Sequence, residues 1–294
     1  MPEGSPEKRK KIKEMEVMVA DVVAETPDTT TLVLFTGNDQ LEYKAGHFLT
    51  IHPKQFEALE RFTSFLEDLK GKKEPARAYS LSSSPHEKHL AITVKEERYV
   101  SGATRYPPLL SPMLVKRILR GMRFVITGFT GPYTLPEDVE SRTDHVVHLC
   151  AGSGSVPNYS ILKWALVHHP RIRHTFVYSN RHWRDIIFRD ALRALETQHP
   201  ESLRVIHTLT REKDAGLLHS GVRMGRLNAA LLREVLPHPQ SALYYVCGPA
   251  ISHWDRLAAR ERGTQPQPRF FESAMAALGE LSVPGENIRY ETYG

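Results

Sequence analysis

The chain has 294 residues, 40% of them hydrophobic, which exceeds one typical domain and can fill two ordinary cores. Lysine and arginine number 39 against 34 acidic residues, so the surface is basic and suits acidic partners such as small electron carriers, nucleic acid or anionic lipid. Cys150 and Cys247 are the only cysteines, which excludes an iron–sulfur cluster held by four thiolates of this chain, and no apolar run approaches a membrane-spanning length.

Residues 1–15 read as a polar tail with no secretory signal, so the expected location is cytoplasmic, and the basic run at 8–13 is given no function. Residues 17–23, 30–35, 47–52 and 90–94 are short runs rich in β-branched residues with turn residues between them, a β texture. Residues 56–73 interrupt it with Phe62, Phe65, Leu66 and Leu69 at helical spacing, the pattern of an inserted surface helix. After residue 138 the runs 145–151, 174–178, 203–209 and 242–246 alternate with helical patterns, one of them marked by Phe188, Ala191, Leu192 and Leu195. That alternation predicts a parallel α/β sheet and a boundary near residues 136–144.

Four short segments carry chemistry. In RAYSLSSSP, residues 77–85, the strand period places Arg77 and Tyr79 on one face with Ser80 following, the cation, aromatic ring and hydroxyl that a flavin dinucleotide needs. A plain strand entering a serine-rich turn reads the same way. Ser111 as N-cap and Pro112 at the first helical position open a helix whose free backbone donors suit phosphate, as most helix starts do.

GSGSVP, residues 152–157, joins a strand to a helix; glycines there let the backbone approach a pyrophosphate, or merely let the chain turn. CGP, residues 247–249, ends a strand at the same edge of the sheet, so Cys247 is expected to point at a cofactor lying over Gly152, while Cys150 reads as a buried structural thiol. The pairs His145 with His148 and His168 with His169 lack supporting carboxylates or thiols and read as structural, so no metal is expected.

In this order and spacing, the four segments resemble the ferredoxin-NADP reductase superfamily from about Glu16 onward. Its RxYS motif corresponds to Arg77, Ala78, Tyr79 and Ser80, its GxGxxP loop to residues 152–157, and its CGP motif to Cys247, Gly248 and Pro249. GHF at 46–48, GFTGPY at 128–133, GRL at 225–227 and the closing YETYG at 290–294 are lesser matches. Departures are Pro108 where a glycine is usual, the insertion after His52, and the long stretch 251–269 after CGP.

The resemblance implies a β + α/β chain: a six-stranded antiparallel FAD-binding barrel over residues 16–140, then a Rossmann-like five-stranded parallel NAD(P)-binding sheet over 141–294. It implies that FAD is held by Arg77 to Ser80, Val94, Lys95, Ser111, Pro112, Met113 and Tyr293. It places the nicotinamide dinucleotide on Gly152, Ser153, Gly154, Val156, Pro157, Cys247, Gly248 and Pro249, with Ser80, Cys247 and Glu291 at the reacting rings.

The implied activity is hydride transfer from NADPH, or NADH, to FAD and single-electron delivery to a separate acidic acceptor, a ferredoxin-like carrier or an oxygenase component. No carboxylate ends the second sheet strand; Arg181 stands there, and Thr210 and Arg211 resemble residues that hold the extra phosphate of NADPH. Alternatives are a diaphorase or cytochrome-type reductase with a small or haem acceptor, and a non-catalytic dinucleotide-binding regulator. The basic and aromatic clusters of a nucleic-acid module are missing from the sequence.

Overall fold

The computed structural model describes residues 14–37, 41–99, 106–217 and 221–293, so the basic run at 8–13 lies outside the described residues. The first half builds one sheet from β1 (Glu14–Thr26), β2 (Thr29–Phe35), β3 (Phe48–Ile51), β4 (Arg77–Ser80), β5 (Leu90–Lys95) and β6 (Arg123–Thr130), ordered β4-β3-β6-β1-β2-β5. Every neighbouring pair is antiparallel, and a bridge between Leu81 and Ile92 brings the two edge strands together, closing a barrel. Alternate residues fill it: Val17 and Val19, Leu32 and Leu34, Leu49 and Ile51, Ile92 and Val94. Each such buried aliphatic side chain contributes about 1.5–3 kcal/mol relative to exposure.

Among the described residues, two α-helices belong to this half, α1 (Glu57–Lys70) and α2 (Ser111–Lys116). The insertion is helical as expected, and Gly71 ends it in a left-handed conformation at φ 63°. Its packing face differs from the expected one: Thr63 and Leu66 are buried, whereas Phe65 and Leu69 are more than half exposed. Hydropathy spacing identified the helix but not the side that docks. In α2 the N-cap is Leu110, not Ser111, and Pro112 falls at the second helical position. The Ser111 hydroxyl is instead committed sideways, accepting from the Glu97 N–H at 3.1 Å and lying 3.4 Å from the Glu97 carboxylate.

The connection to the second half passes through the single turn α3 (Val139–Arg142), inside the boundary read from sequence. There, β7 (His145–Ala151), β8 (Arg173–Asn180), β9 (Leu203–Leu209), β10 (Val222–Met224), β11 (Leu243–Pro249) and β12 (Ile288–Tyr293) form an all-parallel sheet ordered β10-β9-β8-β7-β11-β12. The three-residue edge strand β10 extends the expected five strands to six. Helices α4 (Ser155–His168), α5 (Arg189–Gln198), α6 (Ala229–Val235), α7 (His253–Glu261) and α8 (Phe270–Glu280) connect the strands.

The chain runs outward from β7 through β8 and β9, then returns to place β11 on β7's other side. Strand order therefore reverses between β7 and β11, and the crevice at their carboxyl ends is where such sheets bind ligands. The GSGSVP loop leaves β7 there, and Cys247 lies on β11 directly beside Cys150. Contacts between the two halves flank this crevice: Ser84 donates to the Ser160 carbonyl at 2.5 Å, Ser160 donates to the Ser83 carbonyl at 2.6 Å, and Lys163 pairs with Glu87 at 2.5 Å. No helix among the described residues is long and apolar enough to cross a membrane.

Candidate functional site

A cavity of about 430 Å³ opens between the barrel and the sheet. Strand β4 supplies Arg77, Ala78, Tyr79 and Ser80, β5 supplies Val94 and Lys95, and Ser111 closes one end. From across the crevice come Ser153 and Val156 of the GSGSVP segment and Tyr293 of β12. Segments separated by more than two hundred residues thus converge on one wall, joined by a hydrogen bond of 2.9 Å between the Ser80 and Tyr293 hydroxyls.

Not every residue of the expected flavin set reaches this wall. Met113 turns into the barrel core, and Pro112 is not among the lining residues. In exchange, the cavity is lined by residues that no motif marked: Leu66 and Lys70 of α1, Glu74, Thr93, Glu96, Glu97, and residues 106–110. Only the insertion's unusual length signalled that α1 had a place here.

The GSGSVP loop is shaped by two glycines for different reasons. Gly152 adopts φ +54° with open space where a Cβ would be, so conformation alone selects glycine there. Gly154 has ordinary φ, but a Cβ on it would lie 2.1 Å from the Cys247 carbonyl oxygen, so contact selects it. The loop and the CGP segment are therefore in backbone contact, while the Phe270 ring packs onto Gly248. Pro157 lies within the first turn of α4, where its missing N–H costs nothing.

Asn158 locks this loop from behind. Its amide N–H donates to the Gly154 carbonyl at 3.0 Å, which turns its carbonyl oxygen toward His148 Nδ1, 2.9 Å away, and the Tyr133 hydroxyl. His148 Nδ1 must then carry the hydrogen, leaving Nε2 to accept from His174 Nδ1 at 3.2 Å. Both rings are buried and neutral: burial pulls His148 down to about 4 and His174 well below the usual histidine value. His145 bonds Thr175, His168 faces the Trp164 carbonyl, and His169 faces Glu140, so each histidine considered in sequence has a structural partner.

Cys247 does not face open space over Gly152. It is fully buried in a cluster with Ala45, Tyr133 and Tyr245, and the Tyr293 side chain packs against it. Burial, with the Glu291 charge nearby, pushes its thiol well above the ordinary value, so it stays protonated. Glu291 pairs in register with Cys247 on the neighbouring strand, and burial raises its carboxyl above the usual value. Among the described residues no hydrogen bond joins Glu291 to Ser80; the Ser80 hydroxyl is joined to Tyr293 instead.

At the far end, the Thr210 and Arg211 N–H groups donate to the Asn180 and Arg181 carbonyls, each at 2.9 Å, bringing Arg181, Thr210 and Arg211 together on an exposed edge. Glu212 is the carboxylate next to them. It accepts from the Trp183, Lys213 and Asp214 N–H groups, which hold it below the usual carboxylate range and occupy its oxygens.

Similar proteins agree with this architecture. The sequence profile of the oxidoreductase NAD-binding domain family matches residues 149–252. The ferredoxin reductase component of 3-ketosteroid-9-alpha-monooxygenase from Mycobacterium tuberculosis is 31% identical over 292 residues, covering 95% of this chain and 65% of that protein. The chain thus spans somewhat less than two thirds of that relative's length. The flavohem-like FAD/NAD binding domain of nitric oxide dioxygenase from Vibrio cholerae superposes with a TM-score of 0.69 at 20% identity, covering 95% of this chain and 98% of that one. Ferredoxin-NADP+ reductase from Plasmodium falciparum superposes at 0.66 with 16% identity, covering 95% and 96%.

The antiparallel barrel followed by the parallel sheet is the fold of these two structures. Residues 149–252 match the oxidoreductase NAD-binding domain family, and the chain as a whole shares the fold of ferredoxin-NADP+ reductase.

Proposed function

We propose that this chain is a flavin-dependent NAD(P)H oxidoreductase, with residues 16–140 as the FAD-binding domain and residues 141–294 as the NAD(P)H-binding domain. The observation that carries the reading is the single cavity that gathers Arg77 to Ser80, Val94, Lys95, Ser111, Ser153, Val156 and Tyr293. Its donor set fits the cofactor: a guanidinium for pyrophosphate, an aromatic ring for the flat ring system, and a hydroxyl at the end nearest the dinucleotide loop. Bound FAD would supply the chemistry, taking up a hydride and giving out electrons one at a time.

The chain's own residues align and shield. Ser80 and Tyr293 fix each other's hydroxyls at the meeting point of barrel and sheet. The Tyr293 ring packs against the cluster that encloses Cys247, so a nicotinamide ring would reach Cys247 only with that ring displaced. The protonated, buried Cys247 then offers a small polarizable surface in place of a bulky one, keeping the approach short and dry. Glu291, with its raised carboxyl, is the nearby group that can hold a proton.

NADPH is the preferred donor in this reading, because Arg181, Thr210 and Arg211 cluster where the adenosine ribose would lie and Glu212 is occupied by backbone N–H groups. The electron acceptor lies outside these 294 residues: a separate acidic ferredoxin-like protein or oxygenase component, consistent with the two cysteines and the net charge of +5, acting in the cytoplasm. Reconstitution with FAD, gel filtration and anaerobic addition of NADPH or NADH test the proposal. Retained flavin bleached faster by NADPH is expected, and a chain that retains no flavin refutes it.

A further inference from the structure

Helix α1 is an insertion that meets the barrel core at its amino end through Phe56 and Leu59, while of its own residues only Thr63 and Leu66 are buried and Phe65 and Leu69 face outward. What holds its carboxyl end is charge. Glu74, just beyond the helix, is almost fully buried, yet it bonds two cations: one carboxylate oxygen pairs with the Lys70 ammonium and the other lies 2.7 Å from the Arg77 guanidinium. The Glu74 N–H donates to Glu67 at 2.8 Å, and Glu67 pairs with Lys54 at 2.6 Å, so the turn is fixed from both sides.

Burying a carboxylate is strongly unfavourable unless it is paired, and truncating one partner of such a group leaves the other exposed to that cost. The arrangement spaces two cationic heads across one carboxylate at the wall of the flavin cavity, where Leu66, Lys70, Glu74 and Arg77 all appear. On the same wall Lys95 is matched by Asp28 at 2.8 Å, Glu96 by Lys116 at 3.6 Å, and the Glu97 carboxylate lies at the Ser111 hydroxyl, so Lys70 and Arg77 are the two lining cations that share one carboxylate. The Lys70 ammonium also lies 4.5 Å from the centre of the Tyr106 ring, a lining residue, which stiffens its position.

We infer that α1 is a cofactor-holding element, in which Lys70 is a second cation for the diphosphate of a flavin dinucleotide and Glu74 is the positioning residue that spaces Lys70 from Arg77. The inference rests on the flavoreductase reading and adds a site that the RxYS motif does not contain. It makes a distinction between flavins. FAD carries a diphosphate with an adenylate beyond it and engages Lys70, whereas FMN, with its single phosphate, is held without it.

The test is the dissociation constant of FAD and of FMN, read by flavin fluorescence, for the wild-type chain, Lys70→Met and Lys70→Arg. Methionine keeps an unbranched stem against Tyr106 and removes the charge. Loss of one charge-assisted contact is expected to weaken FAD about tenfold and FMN by less than about twofold in Lys70→Met, with Lys70→Arg restoring FAD. The salt dependence of FAD binding is also expected to flatten in Lys70→Met, which a packing defect would not do. Equal weakening of both flavins, or unchanged FAD affinity in Lys70→Met, overturns the inference while leaving the flavoreductase reading intact. A wild-type chain that binds neither flavin overturns both.

Discussion

Gly154→Ala places a methyl group where the structure has the Cys247 backbone: 2.1 Å from its carbonyl oxygen, 2.5 Å from its carbonyl carbon and 2.9 Å from the Gly248 nitrogen. The first distance is about 1.3 Å short of ordinary contact, and all three atoms are backbone, with no flexible side chain that could yield. The loop after β7 and the end of β11 must therefore separate, disturbing the two segments proposed to bracket the nicotinamide dinucleotide. Overpacking of this kind costs about 1–3 kcal/mol, or roughly five- to 150-fold in nucleotide affinity if it falls on that site. Gly152→Ala is the control: its Cβ meets nothing within 4 Å, and its cost is the left-handed conformation, about 1 kcal/mol. Anaerobic stopped-flow reduction at graded NADPH concentration separates affinity from limiting rate, and FAD titration checks that the barrel is unaffected. The reasoning predicts unchanged FAD affinity in both variants and much weaker NADPH binding in Gly154→Ala than in Gly152→Ala. Equal effects from the two alanines would refute it.

Cys247→Ala is expected to slow flavin reduction with little loss of bound flavin, and an unchanged rate removes Cys247 from the mechanism. Tyr293→Phe removes the 2.9 Å hydrogen bond to Ser80 while keeping the ring against Cys247; its expected signature is an altered limiting reduction rate with FAD affinity retained, and Ser80→Ala should share it. The buried histidines predict a stability slope. His148 has a folded-state value of about 4 against 6.5 unfolded, so the unfolded chain binds the proton first, and stability present above pH 6.5 is lost as pH falls toward 4. The upper bound for this one ring is about 3 kcal/mol. Urea titrations across that range should show the decline for the wild type and a shallower one for His148→Gln; parallel curves would contradict the assignment.

The barrel and the parallel sheet were legible because their strands are runs of β-branched residues whose alternation or continuous apolarity matches their burial, as in residues 30–35 and 145–151. Strands β6, β10 and β12 were not, for physical reasons: β6 carries Gly128 and alternates with exposed residues, β10 has three residues, and the IRYETY of β12 is half-exposed along its length. The stretch 251–269 looked like an extended departure, yet its first half is α7, announced by a Ser252–Asp255 capping box that polarity disguised. The RAYS, GSGSVP and closing tyrosine segments stood out in the sequence by their residue types, and the fold brings members of all three to one cavity. The Asn158–His148–His174 chain and the Lys70–Glu74–Arg77 cluster were not, since both depend on which side chains the fold turns inward. Cys247 shows the same limit: its place on the strand was legible, while its enclosure behind Tyr293 is a tertiary fact.

The most direct measurement of the central claim is the electron count. The FAD-loaded chain is mixed anaerobically with a limiting amount of NADPH and an excess of a one-electron acceptor, following flavin bleaching and acceptor reduction together. Bleaching that precedes the reduction of two acceptor molecules per NADPH is the predicted result. Acceptor reduction without prior bleaching, or a loaded chain that NADPH and NADH both leave oxidised, would contradict it.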